Sequence, residues 1–405
     1  MPDVKIFAKT IEDSAKKQID ELVSLAPFRD CKIRIMPDVH AGAGCVIGFT
    51  ADLGNKVIPN IVGVDIGCGM QTIILGKVDI DLDKLDRVIH DYIPAGMDVH
   101  DEETIGMTGI ALEDLRCFFH LRNKDRLCRS AGTLGGGNHF IEVDKDDEGN
   151  KYLIIHTGSR NLGKQVADIY QKKAIEYCGK MVSKPEIEAA IFALKQEGRQ
   201  REIPQAIKDV KRKYENYTDI PKALCFLEGD DREDYLHDML VCQRFAQRNR
   251  SMISRNILVH MGMHGIDGFE TVHNYVDIYY RFPSQEYIVR KGAVSAKLGQ
   301  ELLIPINMRD GCIIGRGKGN PDWNWSAPHG AGRIMSRMKA KETLSLDDYR
   351  KSMDGIFTTS VSESTIDEAP QVYKPLDEIA ECIADTVEIE KIIKPIYNFK
   401  AGSDD

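Results

Sequence analysis

The stretch VIPNIVGVDIGCGMQTIIL, residues 57–75, decides how the chain is read. Two apolar runs flank a turn that carries an acid, Asp65, and a thiol, Cys68, among glycines 63, 67 and 69. The runs are short, rich in β-branched residues and cut by glycine, which is the pattern of strands joined by tight turns. The turn sets a hard oxygen donor close to a soft sulfur, and no second cysteine follows at the spacing of a zinc knuckle. Two readings are open on these residues alone. One is a metal site whose glycines let backbone, metal and substrate approach closely. The other is a buried turn in which Asp65 caps backbone amides and Cys68 fills space.

The same strand-like texture recurs outward from this stretch. It appears in CKIRIMPDV (31–39) and GCVIGFTADL (44–53), and again in YLIIHTGSR (152–160) and QEYIVRKGA (285–293), lasting to about Gly315. Helical spacing appears elsewhere. KTIEDSAKKQIDELVSL (9–25) reads as a helix in which Thr10 and Asp13 imitate a capping box. Residues 164–255 are charged and poor in glycine, which predicts several helices forming an arm and ending in a long amphipathic helix. From Arg333 onward the pattern is mainly helical. The mixture predicts an α/β class.

With 405 residues, 42% apolar and 29% charged, the composition is that of an ordinary globular protein, and length alone suggests two or three domains. No run approaches the roughly 18 apolar residues of a membrane helix. The first 30 residues carry acids and lysines in place of an apolar signal core, so a cytoplasmic address is expected. Ten cysteines without a CxxC pair predict reduced thiols and no disulfide framework. A net charge of −9 excludes a uniformly basic nucleic-acid binder. Between Gly311 and Lys341, however, six cations face one acid, Asp322. If Gly332–Lys341 is helical, Arg333, Arg337 and Lys341 share a face, either as a phosphate track or as a solvated surface.

Four of the 11 histidines share similar surroundings: His139, His156, His273 and His329 each adjoin an apolar or small-residue run. A histidine at a strand end is well placed to point into a common cavity. A carboxylate, a thiolate able to bridge two cations, and three imidazoles together make a compact site for two divalent metals with open positions. Arg160 and Arg333 follow His156 and His329 by four residues. A guanidinium fork beside a metal suits a phosphate substrate. The glycines 135–137 ahead of Asn138 offer backbone N–H groups to a phosphate. GRGKGN (315–320) lacks the spacing of a Walker loop. Trp323 and Trp325, the only tryptophans, are read as packing that braces the His329 loop. Asp38 and His40 in MPDVH receive no role.

MPDVH (36–40), VGVDIGCGM (62–70), GGGNHFIE (135–142), HTGSRNLG (156–163), HNY (273–275), RKGAVSA (290–296) and HGAGRIMSR (329–337) occur in the order found in the RtcB-type RNA ligases. With the late IDEAPQVYKPLDEI (366–379), the chain resembles that family from about residue 35 to Lys400. The resemblance implies a GTP-dependent ligase joining RNA ends that carry a 2′,3′-cyclic phosphate or 3′-phosphate to 5′-hydroxyl ends. It would act through a GMP–histidine intermediate, in RNA repair or tRNA splicing, with an accessory or repair protein as an open question. It implies GTP and two manganese ions per site. Cys68 would bridge them, with Asp65 and His139 completing one site and His156 and His273 the other. His329 would accept GMP, and Arg160 and Arg333 would serve the ligation chemistry. Matching nucleotide positions are Asn138, His139, Phe140, Ile141 and Glu142. Further along the chain they are His273, Asn274, Pro305, Ile306, Asn307, Met308, Gly330, Ala331, Gly332, Tyr373 and Lys400. Where many relatives have PGSMG this chain has PINMRDG (305–311), and Cys312 stands at a family serine.

The fold implied is one compact α/β (α+β) domain over residues 1–405. Mixed β-sheets would surround a central metal and nucleotide cleft, with 164–255 as a helical arm within it. Two rival readings stay open on the residues. A metal-dependent phosphoesterase would use the same cluster with water as nucleophile. A non-sealing RNA-end binding protein is supported only by the altered 305–312 loop.

Overall fold

The computed structural model describes residues 2–214, 217–281 and 284–401. Its centre is a seven-stranded antiparallel sheet. In spatial order the strands are Glu301–Asn307, Gly311–Gly317, Val387–Phe399, Phe140–Lys145, Lys151–Thr157, Gly69–Gly76 and Asp267–Val272. Strands distant in sequence therefore lie side by side, and the last strand of the chain sits between two earlier ones. A five-stranded mixed sheet runs Asp3–Ile6, Lys32–His40, Ile47–Asp52, Ser284–Lys291, Asn274–Arg281, with only its first pair parallel. Ala293–Ser295 and Ser326–Pro328 form a short ladder.

Period-two alternation explains why the central sheet is buried on both faces. Ile141, Val143, Leu153 and Ile155 point one way, into a core with Leu85, Ile89, Ile253 and Ile257. Phe140, Tyr152 and Ile154 point the other way, against Met70, Leu303, Cys312 and Ile314. The cavity described below opens on that second face.

The segment read as an arm holds the helices Arg160–Gln196, Ile203–Lys213 and Gly229–Met261. The first buries residues only as far as Ser183, the second buries none, and Lys213 and Tyr214 pair with Glu186 between them. The third is core along most of its length, with Phe245, Asn249, Arg250, Ile253 and Ile257 essentially inaccessible.

Three local expectations are corrected. The helix Asp13–Ser24 has no side-chain cap, because the Thr10 hydroxyl donates to Glu378 across the fold instead. The basic stretch 332–341 is helical only from Arg337, capped by Ser336, so Arg333 lies outside the helix. The C-terminal part is not mainly helical: after short helices it ends in the thirteen-residue strand Val387–Phe399. Its Lys/Glu-rich first half hides the alternation, and a register shift between Pro395 and Tyr397 breaks it again. Both tryptophans are packed, Trp323 stacked on Phe7 with ring centroids 3.6 Å apart. Among the described residues no helix is long and apolar enough to cross a membrane.

The helix Gly229–Met261 clamps the loops that reach the cavity. The Asn249 amide oxygen accepts from the Gly132 and Thr133 N–H groups, and its amide nitrogen donates to the Thr133 and Gly158 carbonyls. Arg250 donates to the carbonyls of Gly67 and Thr157. Removing a buried amide with such partners leaves several groups without hydrogen bonds, each costing about 1–3 kcal/mol. Asn249→Ala is therefore expected to destabilise the chain by roughly 2–4 kcal/mol, read as a lowered urea midpoint. An unchanged midpoint would show that these loops are held by other contacts.

Candidate active site

Four neighbouring strands deliver the cluster. Cys68 precedes Gly69–Gly76, His139 precedes Phe140–Lys145, His273 follows Asp267–Val272, and His156 is next to last in Lys151–Thr157. Register brings them level: Met70 and Phe140 both pair with His156, and Gly69 pairs with both Thr157 and Val272. The Cys68 sulfur then lies 3.6 Å from His139 Nε2 and 3.4 Å from His156 Nε2. His156 Nε2 lies 3.1 Å from His273 Nε2, and His139 Nε2 lies 3.0 Å from Asp65 Oδ2. The result is two triads that share one sulfur, Asp65–Cys68–His139 and Cys68–His156–His273, each with its ligand atoms within 4.8 Å of one another.

The hydrogen bonds behind the rings set their orientation. His139 Nδ1–H donates to the Leu134 carbonyl at 2.9 Å, and His156 Nδ1–H donates to the Asn138 carbonyl at 3.1 Å. Both rings thus aim the Nε2 lone pair at Cys68, the tautomer a metal ligand needs. Burial, with the charge of neighbouring imidazoles, holds His156 and His273 well below the ordinary histidine range, so both rings are neutral. Burial pushes Asp65 up, but the His139 imidazole and the Arg160 guanidinium nearby outweigh that and hold its carboxyl below the usual range. Burial and the Asp65 charge push the Cys68 thiol well up. Lone pairs converging at such distances repel one another unless a cation lies among them, and a cation would deprotonate the thiol. Donor types, tautomers and spacing all fit a pair of divalent cations bridged by sulfur.

Of the backbone, metal and substrate expected to come close at the turn glycines, Gly67 and Gly69 admit neighbouring backbone. A Cβ on Gly67 would lie 2.8 Å from the Gln243 backbone, and one on Gly69 would lie 2.5 Å from the Thr271 carbonyl. The closest approach in the cluster is at Gly158, where a Cβ would sit 2.2 Å from Asp65 Oδ1. Gly135 likewise yields its space to Arg160, whose guanidinium passes where a Cβ would be. Arg160, in left-handed backbone at the start of its helix, donates to Thr133 Oγ1 and to the Gly96 carbonyl, and its guanidinium lies near His139 across Gly135.

His329 lies next to this cluster, its ring centroid 4.7 Å from that of His273. Its Nδ1–H donates to Asp38 Oδ2 at 2.6 Å, and its backbone N–H donates to the same oxygen at 3.1 Å. Asp38 is fully buried. The carboxylate fixes the ring so that Nε2 is the open atom. Asp38 is the residue that sequence reasoning quoted but left without a role. Gly332 lets it close in, since a Cβ there would lie 2.1 Å from the Asp38 carbonyl oxygen. His40, pushed down by burial to about 4, stays neutral beside it.

A cavity of about 740 Å³ extends from His156 and His329. Asn138, Phe140 and Glu142 line one wall, Pro305 to Met308 another, and Gly330 to Gly332 a third. Tyr373, Lys400 and Arg333 close it. His139 and His273 belong to the Asp65 and Cys68 triads instead. Ile141 points to the opposite face of its strand, into the core, and offers the cavity no side chain. Asn274 spends its amide on the Asp65 carbonyl and the Gly292 N–H. Asn307 holds its own turn, accepting from the Arg309 and Asp310 N–H groups.

One acid organises the cationic wall. Buried Glu368 accepts from Tyr373 Oη at 2.6 Å and Lys400 Nζ at 2.7 Å, and pairs with Arg337 at 2.9 Å and Arg333 at 3.4 Å. Burial opposes its ionisation, but Lys400, Arg337 and Arg333 bring its carboxyl down to about 2. Arg337, which also pairs with Asp367, is thus a buttress of the cavity wall that it helps to line. Arg316 of GRGKGN pairs with Glu301 and Glu390 on the sheet surface.

The comparisons agree with this geometry. The family model described as tRNA-splicing ligase RtcB matches residues 18–120 and 100–401. The RNA-splicing ligase RtcB of Escherichia coli K12 is 28% identical, covering 98% of this chain and 97% of that protein. The tRNA-splicing ligase RtcB of Aeropyrum pernix is 26% identical, over 96% of this chain and 91% of its own length. The RNA-splicing ligase RtcB of Mycobacterium tuberculosis is 26% identical, over 85% and 91%. Matched by the family model over nearly its whole length, the chain belongs to the RtcB family.

Proposed function

We propose that this protein is an RNA ligase. It would join 3′-phosphate or 2′,3′-cyclic phosphate ends to 5′-hydroxyl ends, at the expense of GTP, in RNA repair or tRNA splicing in the cytoplasm. The observation that carries this reading is the placement of His329. A ring whose Nε2 is left open by Asp38 sits at the mouth of a nucleotide-sized cavity, beside two metal-ligand triads that share Cys68. A phosphoesterase needs no such cavity. The reading treats residues 1–405 as one ligase unit, because the side chains meeting at the site run from Asp38 to Lys400, and within 164–255 only the end of Arg160–Gln196 and Ile203–Lys213 stand out as an arm.

Asp65, Cys68, His139, His156 and His273 would hold two Mn²⁺ ions, whose chemistry is to neutralise charge on phosphate oxygens. In the first step His329 Nε2 bonds to the α-phosphorus of GTP, the bond to the β-phosphate oxygen breaks, and pyrophosphate leaves. Asp38 stabilises the imidazolium that forms, as a carboxylate on Nδ1–H does. An oxygen of the RNA 3′-phosphate then attacks that phosphorus, the P–N bond breaks, and neutral His329 is restored. A cyclic phosphate is first opened by water. Finally the 5′-hydroxyl oxygen attacks the RNA 3′-phosphorus, GMP leaves, and the hydroxyl proton is released. Arg160, beside His139 and held by Thr133 and Gly96, and Arg333, held by Glu368 and Asp367 in the cavity wall, would supply positive charge near the phosphates. Glu142, Tyr373 and Lys400 would hold the purine end.

Incubation with Mn²⁺, GTP and two RNA fragments carrying a 3′-phosphate and a 5′-hydroxyl is expected to give joined RNA. His329→Ala should abolish both joining and labelling by α-phosphate-labelled GTP. Phosphate release without a GMP adduct would instead establish the hydrolase. Asp38→Asn should slow labelling by roughly 10²–10⁴-fold, as loss of an orienting carboxylate does, while metal content stays at the wild-type level. Wild-type labelling would deny Asp38 its role. Cys68→Ala should lower the content of both metal ions and His273→Ala that of one. Elemental analysis checks this, and an unchanged content in Cys68→Ala would exclude the bridge.

A further inference from the structure

Phe119 is 88% exposed. A single apolar side chain in solvent is ordinary. What sets this one apart is how firmly the backbone around it is held. It sits in the single turn Phe118–His120, with a clamp on each side. Before the turn, the N–H groups of Arg116 and Cys117 donate to the two oxygens of Asp238 at 2.7 and 2.9 Å. Asp238 is fully buried and also accepts from Tyr170 Oη. After the turn, the Gln165 amide grips Arg122 twice, accepting from its N–H and donating to its carbonyl. Half-buried Phe118 holds its ring edge-on to Phe119, with centroids 5.3 Å apart. A ring presented on a loop fixed at both ends loses little freedom when something stacks on it.

The surroundings are cationic. Residues 116–129 carry Arg116, Arg122, Lys124, Arg126 and Arg129 against one acid, Asp125, in a chain of net charge −9. Among the described residues none of these five cations forms an ion pair with a carboxylate. Lys124 Nζ lies over the Phe118 ring instead, 4.2 Å from its centroid. Arg116, His120 and Arg122 are exposed beside Phe119 in the sequence. A free aromatic face among unpaired cations is the make-up of a surface that holds single-stranded nucleic acid, since bases stack on the ring and phosphates meet the cations.

The patch adjoins the candidate active site. Gln165 follows Arg160 by five residues, about 7–8 Å along the helix Arg160–Gln196. Arg126 donates to the Met97 carbonyl, next to the Gly96 carbonyl that accepts from Arg160. A strand lying on Phe119 can therefore continue past Arg160 toward the Asp65–Cys68–His139 triad.

We infer that Phe119, flanked by Arg116 and Arg122, is a stacking platform for single-stranded RNA that holds an unpaired base close to the end being joined. That the strand is RNA rests on the ligase reading. That it is single-stranded follows from the ring, because a base inside a duplex offers it no free face. Stacking does not depend on base identity, so the platform tolerates many sequences.

The test uses the full chain loaded with Mn²⁺ in the absence of GTP. Its probes are two short fluorescent single-stranded RNAs, one ending in a 3′-phosphate and one beginning with a 5′-hydroxyl, followed by anisotropy. Phe119→Ala is expected to weaken binding of one of them roughly 5–150-fold and Phe119→Trp to retain it, while a blunt RNA duplex binds Phe119→Ala and wild type alike. Arg122→Ala should flatten the dependence of log affinity on log salt by about 0.7. Labelling by α-phosphate-labelled GTP, which needs no RNA, should stay at the wild-type level in Phe119→Ala. Loss of RNA affinity in Phe119→Ala with no labelling even in wild type would keep the platform and refute the ligase. Equal affinity of Phe119→Ala and wild type for both single strands would overturn the platform, as would an equal loss for the duplex. Because the ring is exposed, its removal leaves the core intact.

Discussion

Strand register is the constraint on which the rest of this structure depends. Cys68, His139, His156 and His273 stand at the ends of four adjacent antiparallel strands and meet only because those strands pair as they do. A slip of one residue in Lys151–Thr157 would turn His156 to the opposite face, into the core of Ile141 and Leu153. Much of the surrounding architecture resists such a slip. The helix Gly229–Met261 ties three loops through Asn249 and Arg250, and Gly158 leaves just enough room for the Asp65 carboxylate.

Register creates an electrostatic problem that the site is built around. Imidazoles, a carboxylate and a thiol converge with polar atoms facing one another across 3.0–3.6 Å. Alone, the Cys68 thiol and the His156 and His273 rings resist ionisation, and the lone pairs resist one another. Around cations they become ligands. The opposite wall has the inverse composition: Arg333, Arg337 and Lys400 gather on one buried acid, Glu368. A polyanionic nucleotide is suited to the space between a floor of candidate metal ligands and a cationic wall.

The parts of this site that were legible in the sequence are those whose chemistry is local. A cysteine and an aspartate in a glycine turn, and histidines beside strand-like runs, announce ligands at strand ends, and the structure brings those residues together. Asp38 could not be read that way. Its carboxylate meets His329 across 291 positions of sequence, and nothing within MPDVH distinguishes an orienting acid from an ordinary buried one. Glu368 escaped notice for the same reason. The turn glycines were read as admitting close approach, but that Gln243 and Thr271 supply the backbone could not be read, since sequence shows that space is needed and not which element fills it. The strand Val387–Phe399 was hidden by its lysines and glutamates, because pairing between strands remote in sequence overrides local propensity.

The claim beneath all of this is that one sulfur is shared by two cations. Electron paramagnetic resonance of the Mn²⁺-loaded full chain tests it most directly. A thiolate bridge couples the two spins, so the wild-type protein should give the broadened spectrum of an exchange-coupled pair. The hyperfine pattern of two isolated Mn²⁺ ions at full loading would contradict the account.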